Sequence, residues 1–354
     1  MKKHQPIFLI SSLFLFLLAG AGCTTPALEP GDIVFLAKGA NRSYQLFSLS
    51  PSSQNPTANP VTQMGNDVLD FTLNDHQEIA FTVEDDDLSS DIWLITPESD
   101  GPQKVVDCQV DACRNPRWAP ELALFVYERR PIIDGSVNED SPALWWFDLP
   151  TQQSVAVFSA ENWIGQDARF SADGQSLSYV VPIIDEAQVF NITTGEITGV
   201  SSRIGTPLEW GQNDDIYFSA ILVRGERSVI HILKTNSQNT ELVDLSGPDA
   251  VVEDGGYSVS PSGEQLIFTR KPPRASIGSQ IWVINVDGSN ARSLTDDLST
   301  QHGAVSWSSD SRKLVYQKFD LNLDQTATPE IWIMDIESGE ETYLGPGTRP
   351  KWMP

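Results

Sequence analysis

The chain has 354 residues, with 48 Asp and Glu against 23 Lys and Arg and a net charge of −25. Such an acidic surplus argues against nucleic acid and anionic lipid headgroups as partners of the bulk surface, since both would be repelled. Cationic partners, divalent ions and a salty habitat are all compatible with it.

The first predicted element is an export signal. Lys2 and Lys3 precede an apolar run from Ile7 to Leu18, which breaks into Ala19-Gly20-Ala21-Gly22 just before Cys23. The run is too short to span a bilayer. A cysteine directly after small residues resembles the lipobox of bacterial lipoproteins, although Gly20 stands where that pattern usually has Leu. The resemblance implies a signal peptide over residues 1–22, acylation of Cys23, and a short tether over residues 23–31. The chain would then be held by lipid to a membrane on its extracytoplasmic side, periplasmic or cell-surface. An ordinary secretory signal with an incidental cysteine is the alternative. Loss of Lys2 and Lys3 with the signal leaves 48 acidic against 21 basic residues, a net charge of −27.

Beyond residue 31 the sequence is built of repeats. Three predicted strands come first, Ile33 to Ala37, Tyr44 to Leu49 and Val61 to Gln63, and they lack an inner partner. A first phrase then recurs: a strand ending in an aromatic, a small polar turn, and an apolar strand ending in an aromatic. It reads Arg117-Trp118-Ala119-Pro120 leading to Phe125-Val126-Tyr127, and Arg169-Phe170-Ser171-Ala172-Asp173-Gly174 leading to Leu177-Ser178-Tyr179. It returns from Tyr257 to Phe268 and as Ser306-Trp307-Ser308-Ser309-Asp310 leading to Leu314-Val315-Tyr316, with looser copies at Asp70 to Phe81 and Glu209 to Phe218. Each is a hairpin with an Asp-Gly or Ser-Gly type of turn. A second phrase follows each first one, as in Asp91-Ile92-Trp93, Gln280-Ile281-Trp282 and Glu330-Ile331-Trp332, and leads through a turn to a short fourth strand. Four strands at an interval of about 47 residues is the pattern of propeller blades. Units begin near residues 68, 114, 165, 206, 254 and 303, and Arg349-Pro350-Lys351-Trp352 is an inner-strand phrase with nothing after it. Joined to the first three strands it completes a further unit. The predicted fold is an all-β propeller of seven four-stranded blades, with six as the alternative, closed by strands from both termini.

The recurring Trp-Ser-x-Asp-Gly turn and Ile-Trp-Val-x-Asp strand resemble the TolB-like, WD40-like propeller repeat over residues 32–354. The resemblance implies a propeller that binds another envelope protein, as a scaffold or as a subunit of a complex. TolB itself has an α/β domain ahead of its propeller and partners a peptidoglycan-associated lipoprotein. Only Thr24 to Gly31 separate Cys23 from the first strand here, so that partner is not transferred.

Cys108 and Cys113 are expected to form a short local disulfide, given export to oxidising surroundings. In four-stranded blades the middle connections and the blade-to-blade crossings share one face. That face receives the long connections, Glu84 to Ser90, Arg129 to Pro142, Lys271 to Ser279 and Lys318 to Pro329, and is the expected binding surface. It carries an acidic cluster of Glu84, Asp85, Asp86 and Asp87, joined by Asp134, Glu139 and Asp140, and a basic spot of Arg270, Lys271 and Arg274. Carboxylates so placed could hold Ca2+. The Asp-x-Asp-x-Asp-Gly order of a calcium loop is missing, so solvated loop charge is preferred and no cofactor or metal is expected. The tryptophans of the second phrase are expected to pack between blades.

No catalytic residue is expected. Gly256-Tyr257-Ser258-Val259-Ser260 lacks the closing glycine of a nucleophile elbow, and His76, His231 and His302 lack His-Glu-x-x-His spacing. The chain therefore reads as a binder and not an enzyme. Binding of a small ligand, glycan or cation in the propeller channel is the alternative, with a propeller hydrolase behind it.

Overall fold

The repeated Ser-x-Asp turn folds as its side chains dictate. The Ser171 hydroxyl donates to Asp173 Oδ1 (2.6 Å) and accepts from the Ser176 N–H (2.9 Å), and Gly174 takes φ +67°. Ser308 and Asp310 repeat both bonds at 2.6 and 2.9 Å, with Ser311 at φ +60°. Local hydroxyl and carboxylate partners thus satisfy the turn, and a left-handed residue closes the hairpin. The same serine bonds hold the Asp173 and Asp310 carboxyls below their ordinary value.

The computed structural model describes residues 28–53, 56–159, 163–324 and 326–354. The predicted signal and Cys23 lie outside the described residues. Inner strands Val68–Leu73, Asp111–Trp118, Gln166–Phe170, Glu209–Trp210, Glu253–Val259 and Thr300–Trp307 each open an antiparallel meander. In one of them Glu253–Val259 pairs with Gln265–Lys271, that strand with Gln280–Asn285, and the last with Arg292–Ser293. The final inner strand, Thr348–Trp352, pairs instead with Ile33–Lys38, through Ile33 opposite Trp352 and Val34 opposite Lys351. Tyr44–Leu49 and Asn59–Pro60 complete that sheet. Single parallel bridges, Ser90 to Ala112 and Ile230 to Glu253, join two pairs of neighbouring meanders into nine- and eight-stranded sheets. The fold is an all-β propeller in which strands from both ends of the chain form one blade.

The core lies between adjacent blades. Val34, Leu36 and Leu46 of the closing blade pack with Val68, Phe71, Ile79 and Phe81 of the next. Ile267, Ile281 and Val283 meet Trp307, Leu314 and Tyr316 in the same way. The second-phrase tryptophans Trp93, Trp145, Trp282 and Trp332 are half-buried against these clusters. Each carries a cation on its outer side: Lys104, Arg129, Arg270 and Lys318 lie 5.7, 5.3, 4.7 and 4.1 Å from the respective ring centres. A cation thus lies close to each of these half-buried rings.

Cys108 and Cys113 are bonded, with Cα atoms 6.1 Å apart, at the crossing into inner strand Asp111–Trp118. Both sulfurs are buried, and the Cys108 N–H donates to Asp91 Oδ1 at 2.8 Å. The closed loop is short, so the chain-entropy gain is about 2 kcal/mol. The double change Cys108→Ser with Cys113→Ser is expected to lower stability by about that amount, read as a drop in urea midpoint. An unchanged midpoint would show that the crossing is held without the bond.

Candidate functional site

The long connections gather on one face. Backbone bonds tie second-to-third strand loops to blade crossings there, as in Gly165 N–H to Pro142 O (2.9 Å), Gly278 to Leu298 (2.9 Å) and Leu321 to Ser299 (2.9 Å). The opposite face holds the short turns, tied by Leu149 N–H to Ala123 O (2.9 Å) and Val286 to Glu264 (3.0 Å).

Half of the ten charges singled out on the long-loop face are engaged locally through their side chains. Glu84 pairs with Arg114 at 3.6 Å, and Glu139 pairs with both Arg114 and Arg130. Asp87 Oδ1 accepts from the Ser89 N–H and hydroxyl, which holds its carboxyl below the ordinary value. Partial burial and the neighbouring Asp91 carboxylate push Asp85 up. Asp85, Asp86 and Asp87 are exposed, as are Asp134, at φ +51° in a turn, and Asp140. Arg270 grips the buried Asp254 with two bonds of 2.7 and 2.6 Å, Lys271 lies 3.5 Å from Glu253, and the Arg274 N–H donates to Glu253. Arg270 and Lys271 are thus tied to the hairpin that bears them, while the Arg274 side chain is exposed. Among the described residues, no three His, Cys, Asp or Glu side chains form a metal-ligand group.

A different property of this face was not read from the sequence. Among the described residues, Leu88, Val110, Ile133, Trp163, Ile183, Ile184, Val223, Val251, Leu298, Leu321 and Leu323 are exposed on its loops and strand ends. Among the described residues, Leu122, Ile192 and Leu242 are exposed on the turns of the other face. Ile183 and Ile184 are carried outward by a 3-10 turn, Pro182–Ile184.

The central channel is the second candidate. Inner hairpins share a bulge: register slips between Arg114 and Arg117, Gln166 and Arg169, Gly255 and Ser258, and Gly303 and Ser306. Asn115, Asp167, Gly256, Ala304 and Arg349 are left-handed, at φ +53, +52, +58, +47 and +53°. Bulges re-aim the side chains that follow them. Two places beyond each of these residues stand Arg117, Arg169, Ser258, Ser306 and Lys351, and all five line a channel cavity of about 550 Å3. Arg349 and Lys351 close the ring by donating to Leu69 O (2.6 Å) and Phe71 O (2.8 Å) of the first inner strand.

No protein-family model matches the sequence, and no curated protein is similar to it. Among solved structures the chain is similar to TolB from Acinetobacter baumannii, at 14% identity over 91% of this chain and 82% of that one, with TM-score 0.53. The chain folds as a TolB-like β-propeller. An oligogalacturonate lyase from Vibrio parahaemolyticus is also similar, at 11% identity over 90% and 87% of the two chains, TM-score 0.58. So is a puromycin-hydrolysing peptidase from Mycobacterium tuberculosis, at 10% identity over 92% and 53%, TM-score 0.65. The propeller spans about half the length of that peptidase.

These neighbours correct one expectation. Exclusion of an enzyme does not stand, because a lyase and peptidases share the fold. The physical reason lies in the channel. Each inner strand that lines it contributes at most three neighbouring residues, so a catalytic set on this scaffold is assembled from residues tens of positions apart and leaves no short motif. The absence of an elbow or a His-Glu-x-x-His sequence is therefore no test. His231, held between Asp244 and Ala250 O, and His302, bonded to Ser279 O, are buried in the blades, where neither meets Ser258.

Proposed function

We propose that the chain is a lipid-anchored, extracytoplasmic propeller that docks another envelope protein through its long-loop face. On this reading residues 1–22 are the signal peptide, Cys23 carries the acyl chains, residues 23–31 form the tether, and residues 32–354 form the propeller. The observation that carries it is the gathering of exposed Leu, Ile and Val side chains on that face, among exposed acidic residues. Apolar surface rimmed by polar groups marks protein interfaces. Likeness to TolB supports an envelope setting, and among the described residues no helix is long and apolar enough to cross a membrane.

The test is cross-linking in native cells and recovery of the tagged chain, with Cys23→Ala as the unanchored control. A specific partner is expected with the wild type and not with the combined change Leu88→Ser, Ile183→Ser and Leu323→Ser. Partner yield in Asp85→Asn, Asp86→Asn, Asp87→Asn then reports whether the acidic loop takes part. Recovery of the same partner after the apolar triple change would overturn docking through this face.

A further inference from the structure

The channel inverts the charge of the molecule. In a chain of net charge −25, the cavity is lined by four cations, Arg117, Arg169, Arg349 and Lys351, and one carboxylate, Asp70. Asp70 is committed elsewhere: its oxygens accept from the Thr82 hydroxyl (2.8 Å) and the Asn115 N–H (3.1 Å). Arg169 is paired with Glu209. The other three cations hold only backbone carbonyls, of Pro116, Leu69 and Phe71, and among the described residues none has a carboxylate oxygen within 4 Å.

Each guanidinium has five N–H donors in a planar fork, and Arg117 and Arg349 each use one nitrogen on a single carbonyl. Their remaining donors face the cavity with the Lys351 ammonium. Bringing like charges together in a confined space opposes folding, and the strained bulge residues that aim them add to that cost. Folding alone gives no return for this arrangement, whereas a bound anion neutralises it. We infer that the channel is a binding site for a small polyanion, carrying carboxylate or phosphate groups, held by Arg117, Arg349 and Lys351 with Arg169 alongside. A cavity of about 550 Å3 suits a small organic molecule and not a folded domain. The like charge of the lining argues against a bound cation there.

An entry lies on the long-loop side. A cavity of about 310 Å3 shares Asp70, Asn115 and Arg349 with the channel and is bordered by Arg114, Arg130 and Glu139. Glu139 is 60% exposed in its side chain and bridges Arg114 and Arg130. It thus supplies from the loop an exposed carboxylate, whereas the channel's own, Asp70, is buried and already bonded.

The test is calorimetric titration of the intact chain, in mild detergent, with citrate, pyrophosphate and acetate. Citrate or pyrophosphate is expected to bind at one site, at least tenfold more tightly than acetate, and the stronger of the two tells carboxylate from phosphate chemistry. Arg117→Gln and, separately, Lys351→Met are expected to weaken binding at least tenfold without lowering the thermal midpoint. Arg312→Gln, an exposed cation on the short-turn face, controls for overall charge and should leave affinity unchanged. No binding by either polyanion, or equal loss in Arg312→Gln, overturns the inference. So does a fall in midpoint for both channel variants, which would make the cations structural. Failure of partner recovery in cells would leave this result untouched, since it does not depend on docking.

Discussion

Arg130→Met is expected to destabilise the propeller by about 3–5 kcal/mol, the cost of leaving a buried charge without its partner. Arg130 and Glu128 are both withdrawn from water, with side-chain exposures of 7% and 1%. Arg130 Nε and Nη2 donate to Glu128 Oε2 at 3.0 and 2.6 Å, and Nη2 also reaches Gln166 Oε1 at 3.0 Å. The other Glu128 oxygen accepts from Asn115 Nδ2 (2.9 Å) and the Asp167 N–H (2.7 Å), the two left-handed residues of adjacent inner strands. Arg130 therefore balances the carboxylate that clamps two channel bulges together. Burial already pushes the Glu128 carboxyl up, against the pull of Arg130. Without the guanidinium it rises further, the folded state then favours the protonated acid, and stability falls as pH rises above the unfolded value. The loss in urea midpoint should thus be smaller near pH 5 than near pH 8. Adding Glu128→Gln to Arg130→Met should recover part of the stability and flatten this pH dependence. A single variant within about 1 kcal/mol of wild type at pH 8 would show that water enters and screens the pair.

The propeller was legible because its repeat is carried by turn chemistry and alternation. Ser171-Ala172-Asp173-Gly174 predicts a hairpin from local bonds alone, and the lone phrase Arg349-Pro350-Lys351-Trp352 indicates closure by the N-terminal strands. Cys108 and Cys113 were equally plain, being close in sequence. The channel was not legible, for a geometric reason. A bulge adds a residue to the inner strand, so simple alternation no longer tells which side chain turns to the axis. A signal was present: the residue just before the aromatic of the first phrase, as in Arg117-Trp118, Arg169-Phe170 and Lys351-Trp352, is the one that enters the channel. The pairing of the loop charges was less legible than their position. Glu84 reaches Arg114 of the next blade, Glu139 reaches Arg130 at the base of its own loop, and Arg270 lies opposite Asp254 in its own hairpin. No spacing rule reveals the pair between blades. Apolar residues scattered through nine connections likewise form one face only once the blades are arranged around an axis.

The channel charge should also be visible in the pH dependence of folding, through Lys351. Burial, then the neighbouring Arg117, Arg169 and Arg349, lower its ammonium from 10.5 to about 7, with Asp70 opposing them. An unfolded chain keeps that proton up to its ordinary value. Between about pH 7 and 10.5 the unfolded state therefore binds more protons than the folded state, and stability rises with pH across this window. Below pH 7 both states are protonated and the full repulsion is present. Lys351→Met removes the charge, so its urea midpoint should exceed that of the wild type at pH 6 and lose that lead as pH rises to 9. The slope of the difference is bounded by about 1.4 kcal/mol per pH unit, and a closing of about 2–3 kcal/mol between pH 7 and 9 is expected. Loss of the bond to Phe71 O and of the contact 4.9 Å from the Phe71 ring offsets both ends of the profile equally and leaves its slope intact. Parallel profiles for the two proteins would show that Lys351 keeps an ordinary ammonium and that the channel is well hydrated. Saturating citrate gives a second handle on the same group. An anion beside Lys351 favours its charged form, so the window should move to higher pH and the lead of the variant should shrink at pH 6. A profile insensitive to citrate would place the bound anion away from this ammonium.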